Sequence, residues 1–172
     1  KYYDRIVKAF IPTQYAMTFM GAWLASRKST PLDDKVGLTL TVGAINGVGI
    51  NTAHELGHKS NRLNKLLAMA ALAPTGTPED PASSRMGESF WKFLPRTVLG
   101  GIKSSIKIEK ARLARKGKGF WSLDNELLQG WAMSAGFFGA TTLACGPRAV
   151  PFLAAQAVYG ASLLESVNYI EH

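Results

Sequence analysis

Four stretches without a charged side chain set the limits on this chain: residues 10–26, 36–53, 127–145 and 149–164, the last carried on to about 170 by a more polar end. As helices at 1.5 Å per residue they span about 25–30 Å, close to the hydrocarbon thickness of a bilayer. Between them the charge is dense, and the 172 residues carry a net +8. The second run contains Gly37, Gly43, Gly47 and Gly49. Such glycines weaken a helix in water, but four residues apart, as at Gly43 and Gly47, they let helices approach closely within a membrane. A buried helix of a soluble core is the competing reading of these runs. Residues 66–73 are apolar but too few to cross a bilayer, and 74–84 form a proline-rich loop.

The distribution of Lys and Arg separates these readings. With the N-terminus inside and four crossings, the two outer loops hold only Arg27, Lys28, Lys35 and Arg148, and the other 16 of the 20 Lys and Arg lie inside. That is the asymmetry of the positive-inside rule. The expectation is an all-α integral membrane bundle forming a single domain over 1–172, with transmembrane runs at about 10–26, 36–53, 127–145 and 149–170. A cytoplasmic segment, 54–126, joins the second run to the third. Its basic part, 85–118, has Leu99, Ile102, Ile106 and Leu113 at roughly helical spacing. This pattern suits an amphipathic helix at a membrane surface, or a plain solvated helix face. Gly117 and Gly119 are expected to end that helix and Ser122 to cap the next.

The positive charge implies an anionic partner, but no aromatic-interleaved basic motif of a nucleic-acid module is present. Cys145 is the only cysteine, which excludes an intrachain disulfide and a cysteine-rich zinc or iron–sulfur site. In its apolar run it is a small packing residue.

Chemistry concentrates at Asn-Thr-Ala-His-Glu-Leu-Gly-His-Lys-Ser, positions 51–60, where the second run ends. His54 and His58 stand at i and i+4, on one face of a helix, and can bind one metal ion with Glu55 beside them. They are two of three histidines; the third is His172. The topology above brings all three to the cytoplasmic side. On these residues alone, a membrane zinc metalloprotease is open, with Glu55 activating water and Glu165, Glu171 or His172 as the third ligand. A non-catalytic membrane remnant is open too.

Three stretches together make the chain resemble the membrane-bound alkane 1-monooxygenases, relatives of the integral-membrane desaturases. They are His-Glu-Leu-Gly-His-Lys at 54–59, Thr-Pro-Glu-Asp-Pro-Ala-Ser-Ser at 77–84 followed by a basic segment, and Asn-Tyr-Ile-Glu-His at 168–172. The resemblance implies two non-haem irons bound by histidines at the cytoplasmic ends of membrane helices. It implies terminal hydroxylation of medium- to long-chain n-alkanes by O2, with electrons from rubredoxin and rubredoxin reductase, in the bacterial inner membrane among lipid. His54, His58 and His172 carry over as iron ligands, and Glu55 and Glu171 as residues that orient the imidazoles. The family's second histidine box, E-H-x-x-G-H-H, has no counterpart: Ala-Pro-Thr-Gly at 73–76 joins directly to Thr77. The third box is also absent. The reading therefore expects a piece of a longer protein, inactive by itself.

Overall fold

The computed structural model describes residues 2–57, 67, 69–70 and 89–171, with side chains over 9–49, 67, 69–70, 89–166 and at 169. These form five α-helices: α1 (Tyr2–Ser26), α2 (Leu32–Gly57), α3 (Phe90–Arg115), α4 (Glu126–Cys145) and α5 (Val150–Glu171). Among the described residues there is no strand, so the all-α expectation holds.

The helices overrun the uncharged stretches. α1 begins at Tyr2, so Pro12 lies in its interior. α2 takes in Asp33 and Asp34, whose carboxylates suit the positive end of the helix dipole. At the end of α3, Gly117 adopts φ +66. Its N–H donates to the Ala114 carbonyl, and the Lys118 N–H donates to Leu113, so both orphan carbonyls are satisfied in a Schellman turn. The cap of α4 is Asn125, not Ser122. The Asn125 Oδ1 accepts from the N–H groups of Leu127 and Leu128 at 3.0 and 3.1 Å, whereas the Ser122 hydroxyl accepts from Asp124 within the loop. A glycine at φ +83 and Pro147 then turn the chain sharply through a short 3₁₀ segment, Pro147–Ala149, into α5.

Side-chain pairings fix the directions. Thr18 bonds Asn46, Gly21 lies against Val42, and Gln14 covers Gly49, so α1 and α2 are antiparallel. Tyr15 meets Phe137 edge-on at 4.6 Å. Farther along, Cys145 packs against the cluster of Ala22, Ala25, Val42, Ala149, Phe152 and Leu153, so α4 runs with α1. The four helices α1, α2, α4 and α5 thus alternate in direction. α3 joins one end of this bundle: Phe93 packs on Tyr169 at the end of α5, and Glu109 bonds the start of α4.

The expected membrane spans are not recovered: among the described residues no helix is long and apolar enough to cross a membrane. Gln14, Asn46, Gln129 and Gln156 lower the apolarity of α1, α2, α4 and α5 in turn.

Candidate functional site

α2 and α5 form the most extensive helix pair of the bundle, and their contact rests on missing side chains. A Cβ on Gly43 would meet the Tyr159 ring at 2.7 Å, one on Gly47 would lie 3.4 Å from the Gly160 carbonyl, and one on Gly160 would lie 2.9 Å from the Gly43 carbonyl. Rising numbers on α2 therefore meet rising numbers on α5, and the two helices are parallel. Parallel neighbours finish at the same end. From Gly47 to His54 is about 10 Å along the axis, and from Leu163 to Glu171 about 12 Å. The last turn of α2, with His54 and Glu55, is thus level with the last turn of α5, which ends at Glu171.

So the backbone brings residues 54–57 and 168–171 to one end of the bundle, although they are more than a hundred residues apart. The side chains of His54, Glu55 and Glu171, and all of His58 and His172, lie outside the described residues. Among the described residues no group of three or more His, Cys, Asp or Glu is placed to hold a metal ion.

Midway along the bundle, about 12 Å along α2 from His54, lies a polar belt that sequence reading passed over. Gln14, Thr18, Asn46 and Gln156 are all fully buried. The Asn46 amide donates to the Gln156 Oε1 at 2.6 Å and to the Thr18 hydroxyl at 3.1 Å. The Gln156 amide donates to the Leu153 carbonyl at 3.1 Å. Buried amides need such partners, because an unmet one costs on the order of 1–3 kcal/mol. Glu165, on the same helix as Gln156, is buried as well.

A second cluster ties α3 to the bundle. The Arg112 guanidinium donates twice to the Glu109 carboxylate, each at 2.6 Å, and also to the Asp124 carbonyl at 2.6 Å. The Glu109 Oε1, already bonded to Arg112, also accepts from the Glu126 N–H at 2.7 Å, at the positive end of α4. The Arg112 hydrogen bond, above all, holds the Glu109 carboxyl below the usual carboxylate range, and Arg112 is raised by the same bond. Sequence reading did not single out this pair: the i, i+3 spacing of Glu109 and Arg112 is a local signal, but the contact to α4 is tertiary and has none.

No family model matches the chain. Its relatives are oxygenases. It is 52% identical, over 188 positions, to the alkane 1-monooxygenase of Acinetobacter baylyi, a match covering 99% of this chain and 46% of that protein. It is 36% identical to alkane 1-monooxygenase 1 of Alcanivorax borkumensis, over all of this chain and 47% of that protein. The xylene/toluene monooxygenase hydroxylase component of Pseudomonas putida is more distant, at 27% identity over 79% of this chain and 42% of that protein. The chain is a homologue of the alkane 1-monooxygenases and spans about half the length of the curated relatives it matches. The match to the Alcanivorax borkumensis protein runs over 189 positions against 172 residues here, so that relative has positions facing no residue of this chain.

Proposed function

We propose that the chain is part of a membrane-bound monooxygenase that hydroxylates the terminal carbon of medium- to long-chain n-alkanes. The observation that carries this reading is the 52% identity over 99% of the chain to an alkane 1-monooxygenase. His54, His58 and His172 would hold the metal, which we assign as iron. Bound there, iron would supply the activation of O2 for insertion into a C–H bond. Rubredoxin and its reductase would supply electrons. Glu55 and Glu171, one beside each histidine stretch, would hold the imidazoles in position through hydrogen bonds.

The parallel pairing of α2 and α5 suits one shared ion, with two donors from α2 and one beyond α5. Three histidines do not suit two ions with open positions, for which each metal needs several protein ligands. The chain as it stands is therefore expected to lack turnover.

We place the bundle in the inner membrane, with the histidine end cytoplasmic. Its largest fully buried side chains include Gln14, Gln156, Asn46, Thr18 and Thr141, whereas Phe19, Leu40, Val48, Leu143 and Val158 lie on the outside. Hydrogen-bonded polar side chains thus share the interior with the apolar cluster around Phe152, while apolar ones line the outside, as suits a lipid surround. Outward hydroxyls turn back on their own helices: Thr13 donates to the Ala9 carbonyl and Ser162 to Val158. That leaves few polar groups facing hydrocarbon. An alkane has no polar handle and must be held by apolar surface alone.

The test is octane oxidation. The chain, extended to the full length of its relatives with an E-H-x-x-G-H-H segment between Gly76 and Thr77, should form 1-octanol with rubredoxin and its reductase. An iron-loaded extended protein that formed none would refute the assignment.

A further inference from the structure

The basic helix α3 and the loop that follows it form a surface that the proposed reaction does not use. Leu99, Lys103, Lys107 and Lys110 fall at i, i+4, i+8 and i+11, in one exposed stripe. The opposite side of the helix is buried through Gly101, Glu109 and Leu113. Lys103, Lys107, Arg115 and Lys116 make no ion pair among the described residues. At its C-terminal end the stripe runs into aromatic side chains: the Lys110 ammonium lies 5.3 Å from the centre of the Phe120 ring, which packs edge-on against Trp121.

Trp121 is 84% exposed and Leu123 94% exposed. Their exposure is imposed by a built loop. The Asn125 amide donates to the Phe120 carbonyl at 2.6 Å, Gln129 donates to the Leu123 carbonyl, Arg112 holds the Asp124 carbonyl, and Lys118 pairs with Asp124. The backbone is fastened from inside while an indole and an isobutyl group are held outward beside a row of lysines. A solvated helix face needs no such apolar pair, and a small acidic protein would be served by the charges alone. An indole and a leucine at the headgroup level, with cations beside them, match an anionic lipid surface.

We infer that the Lys103–Lys107–Lys110 stripe and the Trp121–Leu123 hook form a binding surface for anionic phospholipid, seating α3 in the headgroup layer of one leaflet. This rests on the membrane placement above and adds the lipid class and the element that reads it. α4 starts directly after the loop, and its 20 residues rise about 30 Å away from the proposed headgroup layer. At its far end α1 carries Trp23 under the Arg27 guanidinium, 3.6 Å from the ring centre.

The test uses the 172-residue chain in nanodiscs, with Trp121 as the sole tryptophan after Trp23→Phe, Trp91→Phe and Trp131→Phe. Brominated phosphatidylglycerol and brominated phosphatidylcholine serve as quenchers. The three lysines attract anionic headgroups to the side of Trp121, so brominated phosphatidylglycerol should quench it at least about two-fold more strongly. Salt, or Lys103→Glu with Lys107→Glu and Lys110→Glu, should remove the excess without changing thermal stability. Equal quenching by both lipids overturns the inference, as does Trp121 left unquenched by either but shielded by an added acidic protein. A companion chain with Trp23 as the sole tryptophan separates the two readings. Trp23 quenched and Trp121 not would end only this inference, whereas neither quenched would end the membrane placement itself.

Discussion

Gly160 of α5 sits so close to Gly43 of α2 that a methyl group added to Gly160 would lie 2.9 Å from the Gly43 carbonyl oxygen. The obstacle is backbone, which cannot rotate away as a side chain can. Gly160→Ala should therefore push α2 and α5 apart and cost about 1–3 kcal/mol. Gly136→Ala is the control, because a Cβ there meets nothing within 4 Å. It should be neutral or stabilise by up to about 1 kcal/mol. Unfolding midpoints of the two variants in detergent check the pair; equal midpoints would mean that the glycine contact does not set the packing.

The buried amides give a second prediction. Asn46→Leu removes the donor to the Gln156 Oε1 and to Thr18 while leaving both in place. The expected cost is about 1–3 kcal/mol, mostly the lost bond to the Gln156 Oε1, since Thr18 keeps its bond to the Gln14 carbonyl. Adding Gln156→Leu should recover part of that loss, since the amide that lost the Asn46 donor goes as well. A double variant less stable than the sum of the two singles would contradict the network.

The order of elements was open to sequence reading because charge and apolar runs segregate so sharply, and the Gly43–Gly47 spacing correctly announced a close helix contact. What escaped reading was tertiary. Gly160 has no partner four residues away, so its role is visible only once α5 is laid beside α2. Gln14, Asn46 and Gln156 look like interruptions of three separate runs until the bundle brings them together. The cap at Asn125 was missed because Ser122, Asp124 and Asn125 are all competent caps within four residues. Of the candidate site, the alternating runs already sent the ends of the second and fourth to one side; that α2 and α5 pack directly against each other was not legible.

Glu109 supplies a pH dependence. The Arg112 hydrogen bond lowers its pKa from 4.5. A carboxyl lowered on folding stabilises the fold fully above its ordinary value, and that contribution fades as pH falls from there toward the lowered one. Glu109→Gln should cost about 2 kcal/mol at neutral pH, since it weakens two charge-assisted bonds. It should also flatten the loss of stability below pH 4.5. An unchanged acid limb in the variant would show that Glu109 does not govern it.

The proposed function depends above all on whether the ends of α2 and α5 make one metal centre. Iron per chain, measured on the purified 172-residue protein and on His54→Ala, His58→Ala and His172→Ala, tests this with one readout. The expected result is no more than one iron per chain, lost in all three variants while thermal stability in metal-free buffer stays unchanged. Two irons per chain, zinc in their place, or iron retained after His172→Ala would contradict it.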